Sequence, residues 1–150
     1  MSTNPYQTYL QDEILTADPV RLVQILYGAA IEAVGNARRF LEAGDIRDRS
    51  TAITKALEIL TELSSSLDHK KGGELSGQLA QLYDYMQRRL ILANAQQTDG
   101  PLAEVERLLR TLDEAWQQIL PQEHAISVTE PESVVEGGVG TEKYSLSCAF

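Results

Sequence analysis

Residues 64–94, SSSLDHKKGGELSGQLAQLYDYMQRRLILAN, decide the fold of this chain. The stretch contains a helix end, a basic turn with paired glycines, and a second helix with many aromatic and arginine side chains. Apolar residues recur on this second helix at intervals of three and four, which places them on one stripe of an α-helix. They are Leu75, Leu79, Leu82, Met86 and Ala93.

The same helix carries more side chains than a helix that only fills a core would need. Those beside or opposite the stripe are Tyr83, Tyr85, Arg88, Arg89 and Leu90. Residues two apart on a helix point about 200° apart, so one of the two tyrosines is expected to meet a partner or the N-terminal segment. The two arginines either pair with acidic neighbours or orient a bound chain. The pattern predicts a binding surface on this helix.

Three further segments repeat the helical period. The first begins at Asp18 and Pro19, a capping carboxylate followed by proline at the first helical position. Gly44 is the expected stop of that helix, and Asp45 the expected cap of the next. Four amphipathic helices joined by short turns predict an all-α fold, an antiparallel up-down four-helix bundle. The predicted helices cover residues 18–43, 46–67, 74–97 and 101–120.

The segments on either side of the bundle domain, residues 18–120, differ from it in composition. In residues 1–17, the side chains of Tyr6, Tyr9 and Leu10 would share a face of a short helical turn. We expect this segment to dock on the bundle and cap it, with a mobile arm as the alternative. Residues 121–150 have prolines, glycines and five glutamates without periodicity. Such a segment buries too little apolar area to offset its ordering entropy, so a disordered acidic tail is predicted.

Bulk composition excludes several classes of protein. The net charge of −9 argues against a nucleic-acid protein, which needs a basic face to neutralise phosphates. A single cysteine, Cys148, allows no disulfide within the chain, which fits a reducing compartment. The polar N-terminus is unlike a secretory signal, and no apolar run is long enough to span a membrane. The chain is therefore expected to be soluble and cytoplasmic.

The sequence offers no catalytic, metal or cofactor site. A di-metal bundle needs a glutamate three residues before a histidine, and neither His69 nor His124 has one. Gly72 and Gly73 lack the Gly-Lys-Ser/Thr ending that cradles phosphates. HKKGG superficially resembles the site of a histidine phosphotransfer bundle, which leaves transfer through His69 as an alternative function. A solvated turn is the simpler interpretation of this segment, and we predict that the protein is not an enzyme and has no small-molecule substrate.

Six short strings, in this order and spacing, resemble the flagellin export chaperone family, FliS. The resemblance runs from Asn4 to about Leu120. Its strings are NPYQTY (4–9), ILTADP (14–19), ILYGAAI (25–31), LSSSLD (63–68), KGGE (71–74) and LYDYMQRRLILAN (82–94). It implies a cytoplasmic chaperone that holds the disordered C-terminal segment of flagellin. Such a chaperone blocks premature polymerisation and assists delivery to an export gate component of the flagellar type III secretion apparatus.

The resemblance also implies an N-terminal segment that covers part of a hydrophobic client groove. Combined with the helical pattern, it gives a set of candidate partner-binding residues: Tyr6, Tyr9, Leu10, Leu22, Ile25, Leu26, Tyr27, Tyr83, Tyr85, Met86, Arg89, Leu90 and Asn94. The chain departs from the family where Gly28 and Ala29 follow Tyr27, since aspartate and then glycine are usual there. An adaptor for another helical client stays open as an alternative, as does pairing of two copies as a homodimer.

Overall fold

The structure, a computed structural model, describes the backbone of residues 19–128 and the side chains of residues 19–118. It contains helices α1 (Pro19–Ala43), α2 (Ile46–Ser65), α3 (His69–Gln96) and α4 (Gly100–Val128). Each helix packs on its neighbours in the order α1, α2, α3, α4 and back to α1, so α1 and α3 lie diagonally opposite. Within the described part of the chain there is no strand. The predicted all-α four-helix bundle is confirmed.

Hydrogen bonds between α2 and α3 show that these two helices run antiparallel. Near the start of α2, the Ser50 hydroxyl donates to Asn94 Oδ1 near the end of α3, at 3.2 Å. Towards the other end of α2, the Gln87 amide donates to Thr61 Oγ1 at 2.9 Å. As the contact position moves forward along α2, from Ser50 to Thr61, its partner moves backward along α3, from Asn94 to Gln87. This is the pattern of two antiparallel helices joined by a short connection.

The turn between α1 and α2 has the chemistry that the sequence predicts. Gly44 has a φ of +74°, and its N–H donates to the carbonyl of Leu41 at 3.1 Å. A glycine adopts this left-handed conformation without the steric cost of a Cβ. The Asp45 carboxylate then accepts from the N–H of Asp48 at 3.0 Å and caps α2. The predicted stop and cap are both confirmed.

The start of α3 differs from the prediction. Asp68 caps the helix by accepting from the N–H groups of Lys70 and Lys71, both at 3.0 Å. The lysines therefore lie in the first turn of α3, whereas the predicted helices 46–67 and 74–97 left them in the turn between the two helices. These two N–H donors also hold the pKa of the Asp68 carboxyl below its ordinary value, the bond from Lys71 having the larger effect.

The far end of α4 also lies beyond its predicted boundary. We expected the helix to stop near Leu120, because residues 121–150 lack a helical period. The helical backbone instead continues through Pro121 to Val128. The predicted docking of residues 1–17 and most of the predicted tail, residues 129–150, fall outside the described residues.

Candidate functional site

Four of the candidate binding residues lie in the core of the bundle. Tyr27, Tyr83, Met86 and Leu90 each have an exposed fraction of 0%. On α3 the buried positions follow a spacing of alternating three and four residues, and this stripe runs through Tyr83 and Leu90. The sequence also placed Leu79, Met86 and Ala93 on this stripe, and all three are buried, whereas the other two predicted members, Leu75 and Leu82, are half-buried. The structure thus leaves Tyr85, not Tyr83, at the surface.

The two buried tyrosines form a polar contact across the diagonal of the bundle. The Tyr27 and Tyr83 hydroxyl oxygens are 2.6 Å apart, and their ring centroids are 6.5 Å apart at an interplanar angle of 59°. Burial raises the pKa of Tyr27 to about 12, while hydrogen bonding with Tyr83 and Trp116 opposes the rise. Burial and then Tyr27 raise the pKa of Tyr83. Both phenols stay protonated and join α1 to α3.

The outward side of α1 is a groove with an open volume of about 710 Å³. We call it the α1 groove. Two candidate residues, Ile25 and Leu26, line it, and both are half-buried. Gly28 and Ala29 also line the groove, and their small side chains leave space in it. A Cβ added at Gly28 would meet no atom of the described residues within 4 Å. Small side chains on a helix allow a second helix to approach closely, so this surface suits an apolar chain.

The neighbouring helices form the two walls of the α1 groove. Helix α2 contributes Ala52 and Ile59, and helix α4 contributes Asp113 and Gln117. Burial raises the pKa of the Asp113 carboxyl, whereas the amide of Gln117, which donates to it at 3.0 Å, opposes the rise. The charged lining residues are Arg21, Glu32, Lys55 and Asp113. Their signs balance, so these four side chains give the groove no net formal charge.

Leu22 lies in a separate cavity of about 670 Å³ at the beginning of α1. Its other walls are Pro19 and residues 66–70, which connect α2 to α3 and form the first residues of α3. Leu67 in this wall is buried. His69 is exposed as the first residue of α3, in a helix-end position rather than mid-helix.

Tyr85 and Arg89 lie on the other side of the molecule, on the face of α3 that meets α4. The Tyr85 hydroxyl donates to Glu104 Oε2 and Arg89 Nε donates to Glu104 Oε1, each at 2.7 Å. We call these three residues the Glu104 clamp. The Tyr85 hydrogen bond and the Arg89 guanidinium hold the pKa of the Glu104 carboxyl below its ordinary value. Arg88 pairs with Asp84 at 3.1 Å. Both arginines therefore form ion pairs, as one of the two interpretations of the sequence predicts.

Asn94 is occupied by contacts with α2. Its Oδ1 accepts from Arg49 Nε at 3.0 Å and from the Ser50 hydroxyl, and its carbonyl accepts from Arg49 Nη2 at 3.5 Å. Arg49 is only 3% exposed. A cation near the last turn of a helix meets the carbonyl groups that lack intrahelical partners. Arg49 therefore stabilises the end of α3, and Asn94 links the two helices.

The structure consequently separates the candidate residues into a core set, the α1 groove, the Leu22 cavity and the α3 surface. Tyr6, Tyr9 and Leu10 lie outside the described residues. Sequence reasoning missed Glu104 and the groove walls on α2 and α4, because these positions depend on how the helices face one another. The run of small residues on α1 was the available signal for the groove.

No helix between residues 19 and 128 is long and apolar enough to cross a membrane. Over the same part of the chain, no three His, Cys, Asp or Glu side chains gather where they could hold a metal ion.

Comparison with known proteins gives matches over most of the chain. The family described as "Flagellar protein FliS" matches residues 2–123. A relative from Salmonella typhimurium, named flagellar secretion chaperone FliS, is 40% identical over 117 residues, covering 77% of this chain and 87% of the relative. A Bacillus subtilis relative of the same name is 35% identical over 80% of this chain and 89% of its own length. A Pseudomonas aeruginosa relative, flagellar secretion chaperone FliSB, is 35% identical over 75% and 90%.

Proposed function

The chain belongs to the FliS family of flagellar secretion chaperones, and from this premise we propose that it is a cytoplasmic export chaperone for flagellin. It binds the disordered C-terminal region of flagellin, prevents premature polymerisation, and assists delivery to the flagellar type III secretion apparatus. Delivery requires a contact with a component of the export gate. The family is one of chaperones, so the protein is not an enzyme.

The α1 groove is the surface that supports this proposal best. Its α1 residues run from Arg21 to Asn36, which at 1.5 Å per residue is about 22 Å or four helical turns. An amphipathic client helix of that length could lay its apolar stripe against Ile25, Leu26 and Ala29. The flanking side chains of Lys55 and Asp113 would then meet the polar edges of the client. This open groove, with Ile25, Leu26 and Ala29 among its lining residues, on a chain of the flagellar secretion chaperone family is the observation that carries the proposal.

A disordered client can also use the second surface. Chains that fold on binding wrap large areas of a partner, so a segment leaving the α1 groove can pass around the bundle to the Glu104 clamp. Burial of about 1,500 Å² of apolar area at ~25 cal/mol per Å² gives a gross gain near ~35–40 kcal/mol. Ordering of the client and lost rigid-body freedom cancel most of this gain, which leaves roughly nanomolar to micromolar affinity.

The N-terminal segment acts in this proposal as a built-in competitor. Tyr6, Tyr9 and Leu10 supply apolar side chains, and the segment enters the bundle at Pro19 beside the Leu22 cavity. Deleting residues 1–10 should therefore strengthen client binding or speed association. A fall in affinity after this deletion would show instead that the segment contributes contacts to the client.

Calorimetry with the C-terminal segment of flagellin from the same organism tests the function. We expect heat of binding with micromolar affinity or better, and a discrete complex on a sizing column. A scrambled segment of identical composition is the control and should not bind. Absence of both heat and complex with the native segment would remove the proposal. The column also reports whether two copies of the free chain pair.

A further inference from the structure

Helix α3 is interrupted near its beginning by one residue with non-helical geometry. Gly73 has φ 52° and ψ −128°, between the turn His69–Gly72 and the long remainder of the helix. A left-handed φ of this kind is open to glycine and strained for residues that carry a Cβ. Within the described part of the chain, no atom lies within 4 Å of where a Cβ at Gly73 would sit. Backbone conformation alone, without crowding, therefore distinguishes glycine from alanine at this position.

A buried hydroxyl just after the bend lacks a hydrogen bond. Ser76 is 0% exposed, and among the residues that the structure describes its Oγ has no hydrogen-bond partner. Hydroxyls elsewhere in the bundle donate to the carbonyl four residues earlier, as Thr51, Thr61 and Thr111 do at 3.0–3.1 Å. The corresponding acceptor for Ser76 is the carbonyl of Gly72, which lies across the bend. Burying a hydroxyl without a partner costs free energy, so the bent helix carries an internal penalty.

The short turn before the bend has its own supports and its own neighbour. Asp68 caps it through the N–H groups of Lys70 and Lys71, and Gly72 N–H donates to the Asp68 carbonyl at 2.7 Å. Asp68, His69 and Lys70 at the start of this turn form one wall of the Leu22 cavity. The position of the turn therefore sets the size of that cavity.

We propose that α3 is a two-state hinge at Gly73, bent in the described state and straight in a second state. Straightening brings the Gly72 carbonyl over Ser76 Oγ and satisfies the hydroxyl, at the expense of the contacts that the Asp68-capped turn makes. The same movement withdraws the turn from Pro19 and Leu22 and opens the cavity at the beginning of α1. The hinge stands on these contacts alone, whereas its role in admitting the client rests on the proposed function.

NMR of the full chain tests the hinge through two substitutions with opposite effects. Exchange between two states on the μs–ms timescale appears as relaxation dispersion, expected in the wild type for amides of residues 69–77. Gly73→Ala strains the bent state and should move the ¹³C shifts of residues 72–76 to helical values. Ser76→Ala removes the advantage of the straight state and should shift the bent-to-straight ratio by about tenfold, suppressing the dispersion.

Two matched variants test whether an added methyl or a lost hydroxyl is enough by itself to produce these NMR changes. Gly77→Ala adds the same methyl to a glycine with helical geometry and open space around its Cβ, and should leave the shifts of residues 72–76 unchanged. Thr111→Ala removes a satisfied hydroxyl and should leave the dispersion unchanged. The hinge is refuted if the wild type shows no dispersion at residues 69–77, or if Ser76→Ala leaves it unaltered. This second criterion applies even where Gly73→Ala fails to fold.

Stopped-flow association with the flagellin segment separates the hinge from its function. If straightening admits the client, Gly73→Ala should associate several-fold faster than Gly77→Ala. Equal rates for the two variants would overturn the gating role while the NMR result on the hinge stands. A segment that binds neither variant nor the wild type would overturn the proposed function, again without touching the hinge.

Discussion

Helices α1 and α3 lie diagonally opposite each other in the bundle, and their outer faces differ in how far their side chains bond to neighbouring helices. On α3, polar side chains bond to a neighbouring helix: Tyr85 and Arg89 to Glu104 on α4, and Gln87 to Thr61 on α2. On α1, the corresponding surface is a groove between walls from α2 and α4, lined by apolar residues such as Ile25 and Leu26 and by polar residues such as Gln24 and Asn36. Near its end, α1 bonds to a neighbouring helix, where Arg38 Nη1 donates to Glu106 on α4 at 3.2 Å. Helix α3 carries the aromatic and arginine side chains that stand out in the sequence, and these side chains already bond to neighbouring helices.

This difference indicates which of the two surfaces would contribute more binding free energy to the proposed client. A partner at the Glu104 clamp must keep or replace charge-assisted hydrogen bonds, and any polar group left imperfectly paired on binding reduces affinity. A partner in the α1 groove covers apolar surface without breaking a hydrogen bond of the clamp. We therefore assign the anchoring contacts to α1 and a supporting role to α3.

Charge placed in the α1 groove should have the largest effect. Ile25→Glu puts a carboxylate where the client's apolar stripe is proposed to lie, and loss of a central anchor costs about 2 kcal/mol or more, roughly 30-fold in affinity. Ile91→Glu is the matched control on α3, where Ile91 is 56% exposed. Calorimetry with the flagellin segment should show the loss for Ile25 alone. Similar losses at both positions, with thermal stability retained, would contradict the assignment to α1.

Removing a tyrosine hydroxyl should lower the free energy of unfolding more in the core of α3 than at its surface. Tyr83→Phe deletes the buried contact to Tyr27 and is expected to lower the free energy of unfolding by about 1–2 kcal/mol. Tyr85→Phe deletes a hydroxyl on a side chain that is 37% exposed, and should cost under about 0.5 kcal/mol. Urea unfolding of the two variants measures both. Equal losses would mean that the Tyr27–Tyr83 contact contributes no more than a surface bond.

The sequence predicted what depends on local chemistry and missed what depends on facing helices. The helical period, the Gly44 stop and the Asp45 cap follow from neighbouring residues, and all three are confirmed. On the buried stripe of α3, Leu79, Met86 and Ala93 are confirmed, but Tyr83 takes the place predicted for Leu82, because both positions fit a helical period. What decides between them is the Tyr27 hydroxyl on a diagonal helix. The sequence could not show that contact before the helices were placed.

The α1 groove also depends on how the helices face one another. Its floor could be anticipated from small residues such as Ala29, but its walls come from Ala52 on α2 and Asp113 on α4. No local pattern relates those positions to one another. Gly72 and Gly73 correctly signalled a break, yet the break is a bend within α3, because the helix starts earlier, directly after its cap Asp68.

The smallest expected effect is the pH dependence of the Glu104 clamp. The folded-state pKa of Glu104 is lowered, so its stabilising contribution is present above the unfolded pKa of about 4.3 and is lost as pH falls through the folded pKa. Glu104→Gln should therefore reduce the free energy of unfolding at pH 7. At pH values below the folded pKa, the variant should approach the wild type.

The size of this contribution is limited by solvent. The side chains of Arg89 and Glu104 are 31% and 26% exposed, so we expect a difference under about 1 kcal/mol. Asp84→Asn is the matched control, because the Arg88–Asp84 pair is 70% and 64% exposed and should add nothing measurable. Urea unfolding at neutral and acidic pH measures both variants. A Glu104 difference that persists at the acidic end would show that the clamp acts through packing of the side chain and not through its charge.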